Sequence, residues 1–397
     1  MTLLTTKPKL SKQDQFGFYQ VGDQKTYSKI EAIELGKKLK KFPNWNFNDQ
    51  AFAEADWTTE PTESLDDLYI QRAWEIRNRY DYLVIWYSGG ADSFNVLNTF
   101  LKNDIPVDEI AHCWSLKGSG TVETLFNEEI AKVAIPHVQS ICQRFPHIKH
   151  RVVDQSDSIA QLFTGDVKHD FIYLSNNNFS PNGLDRSFLR ENIDDYRNLM
   201  NQGKSIGFLW GTDKPRISYD SAQDRYYCQF IDIVDNILSP RTQILARPWE
   251  HDELFYWSPE AAKILIKQCH IVQRFLRSAD VNYDNEIWFS RSNPYKFGYS
   301  KILDKHLTQH GLHLLVYPDW EIDTFQRMKT KSVVYGDRDT WFFKTGDATT
   351  SKFFKNGVER IRELMTEENI FNMSFLNDDA EITKGIKNFL SPRYYLS

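Results

Sequence analysis

From Tyr82 onward the chain alternates between short unbroken apolar runs and longer stretches whose apolar residues recur at helical spacing. Tyr82-Leu83-Val84-Ile85-Trp86-Tyr87 has the length and composition of a buried strand, and a helical pattern follows it from Phe94 to Lys102. Further strand-like runs stand at 110–116, 150–153, 205–210 and 227–234, with helical patterns at 122–145 and 185–202 between them. Strands alternating with helices predict an α/β fold, a doubly wound, Rossmann-like parallel sheet with helices on both faces. In such sheets ligands bind beyond the carboxyl ends of the strands, where the strand order reverses.

The flanks read differently. Residues 1–63 form an aromatic-rich extension, with a short strand at 16–21, a turn at Gly22-Asp23 and a helix over 29–41. Ser64 and Asp67 then make a capping-box-like start to a helix whose Leu65, Leu68, Tyr69, Ala73 and Ile76 share one face. The alternating unit spans 64–249. Beyond it, 250–397 is expected to be a mostly helical substrate or interaction region, opened by Pro259 and a helix running through Leu276.

The most chemically specific segment is Ser88-Gly89-Gly90-Ala91-Asp92-Ser93, which joins the first strand of the alternating unit to its helix. A strand that turns through two glycines into a helix makes a cradle for an anion. The glycines let backbone approach closely, the first helical N–H groups have no intrahelical acceptor, and the helix dipole favours negative charge. Ser88 and Ser93 add hydroxyl donors. Asp92 suits either a cap or a carboxylate that holds Mg²⁺ against a polyphosphate. The Walker A pattern is absent, because no glycine stands five residues before a Gly-Lys-Ser or Gly-Lys-Thr.

Ser88 to Ser93 resembles the SGGxDS loop of the PP-loop (N-type) ATP pyrophosphatases, the adenine nucleotide alpha-hydrolase superfamily that includes tRNA-lysidine synthetase and the asparagine synthetase synthase domain. Across about residues 15–280 the arrangement is also similar to PP-loop proteins encoded by tailed phages, a likeness that brings no substrate with it. The resemblance implies binding of ATP and Mg²⁺, adenylation of an acceptor with loss of pyrophosphate, and a second step in which a nucleophile, nitrogen in the preferred reading, displaces AMP. It implies that Ser88, Gly89, Gly90, Ala91, Asp92 and Ser93 grip the leaving pyrophosphate, that Asp92 and Ser93 are catalytic, and that Asp92 ligates the metal.

Other candidates lie at the same expected sheet edge. Gly211-Thr212-Asp213-Lys214-Pro215-Arg216 follows the 205–210 run, so Lys214 and Arg216 are placed to neutralise charge on departing pyrophosphate and Asp213 to be a second Mg²⁺ ligand. Trp114 and Ser115 end the 110–116 strand, where the resemblance seats the adenine. Asn127, Glu128 and Glu129 read first as a solvated helix face, and Arg247, His251, Asp252, Arg274, Lys296, Arg327 and Lys329 are candidates for defining the acceptor. Gly118-Ser119-Gly120 starts like GxGxxG but has Glu123 at the third glycine position, which opposes a dinucleotide site.

Composition narrows the alternatives. In 397 residues, 27 Phe, 19 Tyr and 11 Trp indicate a folded chain with a substantial core. A net charge of -6 opposes strong nonspecific nucleic-acid binding, and the basic cluster Lys37-Lys38-Leu39-Lys40-Lys41 reads as a solvated helix face. No run approaches the roughly 18 apolar residues that span a bilayer, so a cytoplasmic protein without membrane association is expected, in the host cytoplasm if phage-encoded. Cys113, Cys142, Cys228 and Cys269 are scattered with no Cys-x-x-Cys, which weighs against a zinc ribbon, an iron–sulfur cluster and the sulfur-transfer or phosphoadenylyl-sulfate reductase alternative. Cys142, His147 and His150 lack a fourth ligand at a workable spacing for zinc. A nucleotide-binding module without turnover is the alternative of another class.

Overall fold

The computed structural model describes residues 14–27, 29–114, 130–154, 193–211, 215, 217–230, 232, 250–278, 315–320 and 389–397. The N-terminal part pairs β1 (Phe18–Val21) antiparallel with β2 (Gln24–Thr26) and β3 (Asn44–Asn46), with α1 (Lys29–Leu39) between them and α2 (Asp49–Glu54) after β3. Its aromatic residues are core rather than surface: Phe16, Tyr19, Trp45, Phe47 and Phe52 are all buried. Lys38, Lys40 and Lys41 are exposed at and beyond the end of α1.

Helix α3 (Leu65–Arg77) begins where the capping pattern places it, with the Ser64 hydroxyl accepting from the Asp67 N–H at 3.1 Å, and it buries Leu68, Tyr69, Ala73 and Ile76. It leads into β4 (Tyr82–Trp86), followed by α4 (Ala91–Lys102), β5 (Glu109–Trp114), a π turn at Ile130–Ala134 running into α5 (Ile135–Arg144), and β6 (Lys149–Asp154). Next come α6 (Asp194–Asn201) and β7 (Ile206–Trp210), then the hairpin of β8 (Ile217–Asp220) and β9 (Arg225–Cys228). Strand β10 (Glu250–Leu254), a 3-10 turn at Pro259–Ala261, α7 (Ala262–Ser278) and β11 (Tyr394–Tyr395) complete the described elements.

Five of these strands form one all-parallel sheet in the order β10-β7-β4-β5-β6. The first of these five strands in the chain, β4, is therefore central, later strands extend to both sides, and the order reverses between β4 and β7. Central position explains composition: Leu83 to Trp86 and all of β7 are buried, as strands covered on both faces require. Helices flank both faces. Tyr196 of α6 packs on Phe208 and donates to Glu109 at 2.7 Å on one face, while Tyr87 reaches His137 of α5 on the other.

Strand β10 extends the sheet past residue 249, where the apolar alternation ends. Its His251-Asp252-Glu253 core is polar, and its charges are met by distant groups. Glu253 accepts from Arg72 at 3.2 Å, Arg79 at 3.1 Å and Tyr80 at 2.6 Å, and Asp252 accepts from the Trp210 indole at 2.8 Å. Tyr227 and Cys228, at the start of the 227–234 run, do not join the parallel sheet: they end β9, which lies in a separate antiparallel sheet between β8 and the C-terminal β11, and residues 231, 233 and 234 lie outside the described residues. Residues from beyond 249 also cover α3, through α7 and through Val316, whose carbonyl accepts from Tyr69 at 2.8 Å. Among the described residues no helix is long and apolar enough to cross a membrane.

Candidate functional site

Strand β4 continues its ladder one residue past its end, the Tyr87 N–H donating to the Ala111 carbonyl at 2.9 Å, and the chain then leaves the sheet at exposed Ser88. Gly89 takes φ +82°, a left-handed conformation costly for residues with a Cβ. Gly90 is the helix cap residue, extended at φ -83° and ψ 164°, and caps without a side chain. The first intrahelical bond runs from the Phe94 N–H to the Gly90 carbonyl at 2.9 Å. The turn thus delivers the start of α4 to the switch point between β4 and β7.

Two serines brace this turn. The Ser93 hydroxyl, buried, donates to the Gly90 carbonyl at 3.1 Å and accepts from the Ser88 N–H at 3.2 Å. Its one proton is thereby used, so in the 3.1 Å contact between the two hydroxyls Ser88 is the donor. The Gly90 N–H reaches the Ser88 oxygen at 3.3 Å. Ser93 consequently works first as the internal strut of the loop, with Ser88 on its exposed side.

Gly211, the residue after β7, supports the loop from below. A Cβ there would lie 2.9 Å from both the Asp92 carbonyl oxygen and the Ser93 Cα, so only glycine allows the two backbones to approach this closely. Asp92 is half-buried, and two tyrosines from far along the sequence converge on it. The Tyr256 hydroxyl donates to its main-chain carbonyl at 3.1 Å, and the Tyr317 hydroxyl donates to its carboxylate Oδ1 at 2.9 Å. Tyr256 is placed by the end of β10, where the Phe255 N–H still bonds the Trp210 carbonyl at 3.0 Å, and its oxygen accepts from Asn95 at 2.8 Å. Neither tyrosine carries a local sequence signal of function, since each is an aromatic residue in an apolar context.

A histidine-rich layer lies behind the loop. The Tyr87 hydroxyl and His137 Nδ1 are 2.7 Å apart, and Phe94 stacks on the His137 ring at 5.8 Å. His112 Nδ1 lies 2.5 Å from the Tyr87 carbonyl, which can only accept, so that nitrogen carries the proton. The Nε2 atoms of His112 and His150 are buried without hydrogen-bond partners among the described residues, their rings 5.1 Å apart. Burial pushes the His112 imidazole down to about 4, with the neighbouring His150 adding to the effect against the bond to Tyr87, and burial lowers His150 as well. These imidazoles are neutral packing groups near pH 7.

The structure brings together Ser88, Gly89, Gly90, Ala91, Asp92, Ser93 and Gly211. Trp114 ends β5 in register with Asp154 of β6, so its backbone sits at the carboxyl edge of the sheet. Ser115, Asp213, Lys214 and Arg216 lie outside the described residues, as do Asn127, Glu128, Glu129, Arg247, Lys296, Arg327 and Lys329 and the 118–120 glycine segment. Of the other acceptor candidates, His251 and Asp252 are buried within β10, and Arg274 pairs with Glu60 on the exposed side of α7. Cys142 directs its thiol at the Ile148 carbonyl, 3.5 Å away. Among the described residues no group of three or more His, Cys, Asp or Glu side chains could hold a metal ion, and Asp92 is the one carboxylate of the loop. Compared with protein-family models and with curated proteins, the sequence matches none.

Proposed function

We propose that this chain is a PP-loop-type ATP pyrophosphatase, a cytoplasmic enzyme with a doubly wound, adenine nucleotide alpha-hydrolase-like fold that adenylates an acceptor. The observation that carries the proposal is the seating of the Ser88–Ser93 turn. Gly89 in a left-handed conformation, a glycine cap and the start of a twelve-residue helix meet at the strand-order reversal of a parallel sheet. Helix N-termini at that position bind anions through unpaired N–H groups and the helix dipole, and polyphosphates are the usual occupants.

The donor set fits a triphosphate. Gly89 and Gly90 leave no side chain between backbone and ligand, and the Ser93 strut fixes the turn before any ligand arrives, so binding costs little reorganisation. Asp92 would hold the Mg²⁺ that accompanies ATP, a metal that keeps most of its ligands as waters and phosphate oxygens and needs one or two carboxylates. Held there, Mg²⁺ would supply the positive charge that offsets the charge gathering on the leaving pyrophosphate. In the reaction an acceptor oxygen attacks the alpha phosphorus, the alpha–beta bridge breaks and pyrophosphate departs. A nucleophile, nitrogen in this reading, then attacks the adenylated carbon and AMP leaves. The chain's own part is to orient the polyphosphate and hold its charge, which requires no nucleophilic side chain. Lys214, Arg216 and Asp213 belong to the same proposal through their place in the sequence just after β7.

Mass spectrometry of ATP-derived products in a lysate tests it, comparing the intact protein with Asp92→Ala. AMP and pyrophosphate formed by the intact protein and lost in the variant support the proposal. ADP and phosphate as products, or ATP binding with no pyrophosphate from any acceptor pool, overturn it.

A further inference from the structure

Asp92 is the only residue of the loop held by side chains from outside the strand–turn–helix unit among the contacts described. Tyr256 grips its carbonyl and Tyr317 its carboxylate, and the two rings pack against each other at 5.5 Å. Tyr317 is 1 % exposed and belongs to a short segment, 315–320, fastened along the loop's helix. Val316 is tied to Tyr69 of α3, Asp319 accepts from Asn98 and Lys102 of α4, each at 2.9 Å, and Trp320 meets Phe94 edge-on at 5.5 Å. Four contacts made by three residues of this segment, Val316, Asp319 and Trp320, hold the Tyr317 hydroxyl at one place. A hydroxyl that donates to a carboxylate oxygen fixes the rotamer of that carboxylate, and hydrogen bonds to charged groups are among the stronger ones.

We infer that Tyr317 is a positioning residue, which sets the Asp92 carboxylate in the orientation that receives the divalent cation of a metal–nucleotide complex and so links the C-terminal part of the chain to the phosphate loop. The inference rests on the nucleotide reading above. Tyr317 acts through Asp92 and does not itself touch the ligand. Tyr256 is the complementary hold on the backbone, so that side chain and main chain of one residue are fixed by two different elements.

The test has one arm without nucleotide and one with it. In the absence of ligand, amide hydrogen exchange over residues 88–95 is compared between the wild-type protein and Tyr317→Phe, which removes only the hydroxyl. Exchange there should quicken by about tenfold, the loss expected for one hydrogen bond to a charged group, while α7 keeps its protection. Asp92→Ala examines the same contact from the other side and should quicken exchange over 315–320. Unchanged exchange in both variants overturns the inference.

In the second arm ATP binding is titrated with Mg²⁺. Tyr317→Phe should raise the Mg²⁺ concentration needed for half-maximal binding about tenfold and leave ATP binding in EDTA at the wild-type level. In an Asp92→Asn background, where the amide oxygen still accepts the hydroxyl but the charge is gone, adding Tyr317→Phe should change the Mg²⁺ dependence no further. A wild-type Mg²⁺ dependence in Tyr317→Phe, or an effect that persists at full size in the Asp92→Asn background, overturns the inference. A wild-type protein that binds no ATP instead refutes the nucleotide reading, and the exchange comparison then decides by itself whether Tyr317 holds the loop.

Discussion

Replacing Gly211 by alanine probes the seat of the proposed phosphate loop directly. The added Cβ would stand 2.9 Å from the Asp92 carbonyl oxygen, 2.9 Å from the Ser93 Cα and 3.0 Å from the Asp92 carbonyl carbon. Comfortable contacts of this kind fall at about 3.5–4.0 Å, so the end of β7 and the first turn of α4 must separate by about half an ångström. All three neighbours are backbone atoms, and no side-chain rotation relieves the clash. Overpacking of this sort costs on the order of 1–3 kcal/mol. The displacement falls on the turn whose N–H groups the proposal aims at phosphate, where tolerances are about 0.5 Å, so ATP affinity should fall by about tenfold or more. Urea unfolding gives the stability change and equilibrium binding gives the affinity change. Gly203→Ala is the control, because Gly203 has φ +74° and nothing within 4 Å of an added Cβ. It should lose about 1–2 kcal/mol through backbone strain alone and bind ATP normally. If Gly211→Ala matches the wild type in both stability and affinity, the loop does not rest on β7 as described.

Two further outcomes follow from buried charge and buried neutrality. His112, held down to about 4 by burial, lies below its ordinary value of about 6.5, so the unfolded chain takes up its proton first as the pH falls. Its share of stability, about 3 kcal/mol, is therefore complete above about pH 6.5 and is lost on the way down to about pH 4. His112→Asn, which can keep the bond to the Tyr87 carbonyl, should flatten the urea-stability profile between those limits, and an unchanged slope would refute the assignment. Glu253→Gln takes from the buried Arg72, whose side chain is 1 % exposed, its closest carboxylate but leaves Glu260 at 3.3 Å and Glu75 at 3.7 Å, and should cost about 1–3 kcal/mol in urea, whereas an unchanged stability would show the pair to be dispensable.

Strands β4 and β7, the cap of α3 and the turn into α4 were legible in the sequence because each depends on residues close together in the chain, although the cap of α4 is Gly90 and not Asp92, which lies inside the first helical turn. Apolar runs mark doubly covered strands, Ser64 reaches only to Asp67, and the Gly89-Gly90 turn is encoded by its own two glycines. Strand β10 was not legible, because His251, Asp252 and Glu253 are polar and become tolerable in a sheet only through Arg72, Arg79, Tyr80 and Trp210, up to 181 residues away. The 227–234 run looked like one more parallel strand, yet its described start belongs to β9, which pairs antiparallel with β8 and with the C-terminal Tyr394–Tyr395, the second a pairing with no local trace. The site divides the same way. Its loop is local and was readable, while Tyr256, Tyr317 and the steric role of Gly211 exist only once distant elements meet.

The central claim is that the Ser88–Ser93 turn holds the beta and gamma phosphates of ATP. A crystal structure with α,β-methylene-ATP and Mg²⁺ tests it most directly. The account predicts phosphate oxygens within about 2.7–3.2 Å of main-chain N–H groups between Gly89 and Ser93, with the metal beside Asp92. Phosphates bound elsewhere on the protein, with that turn closed over by packing, would contradict it.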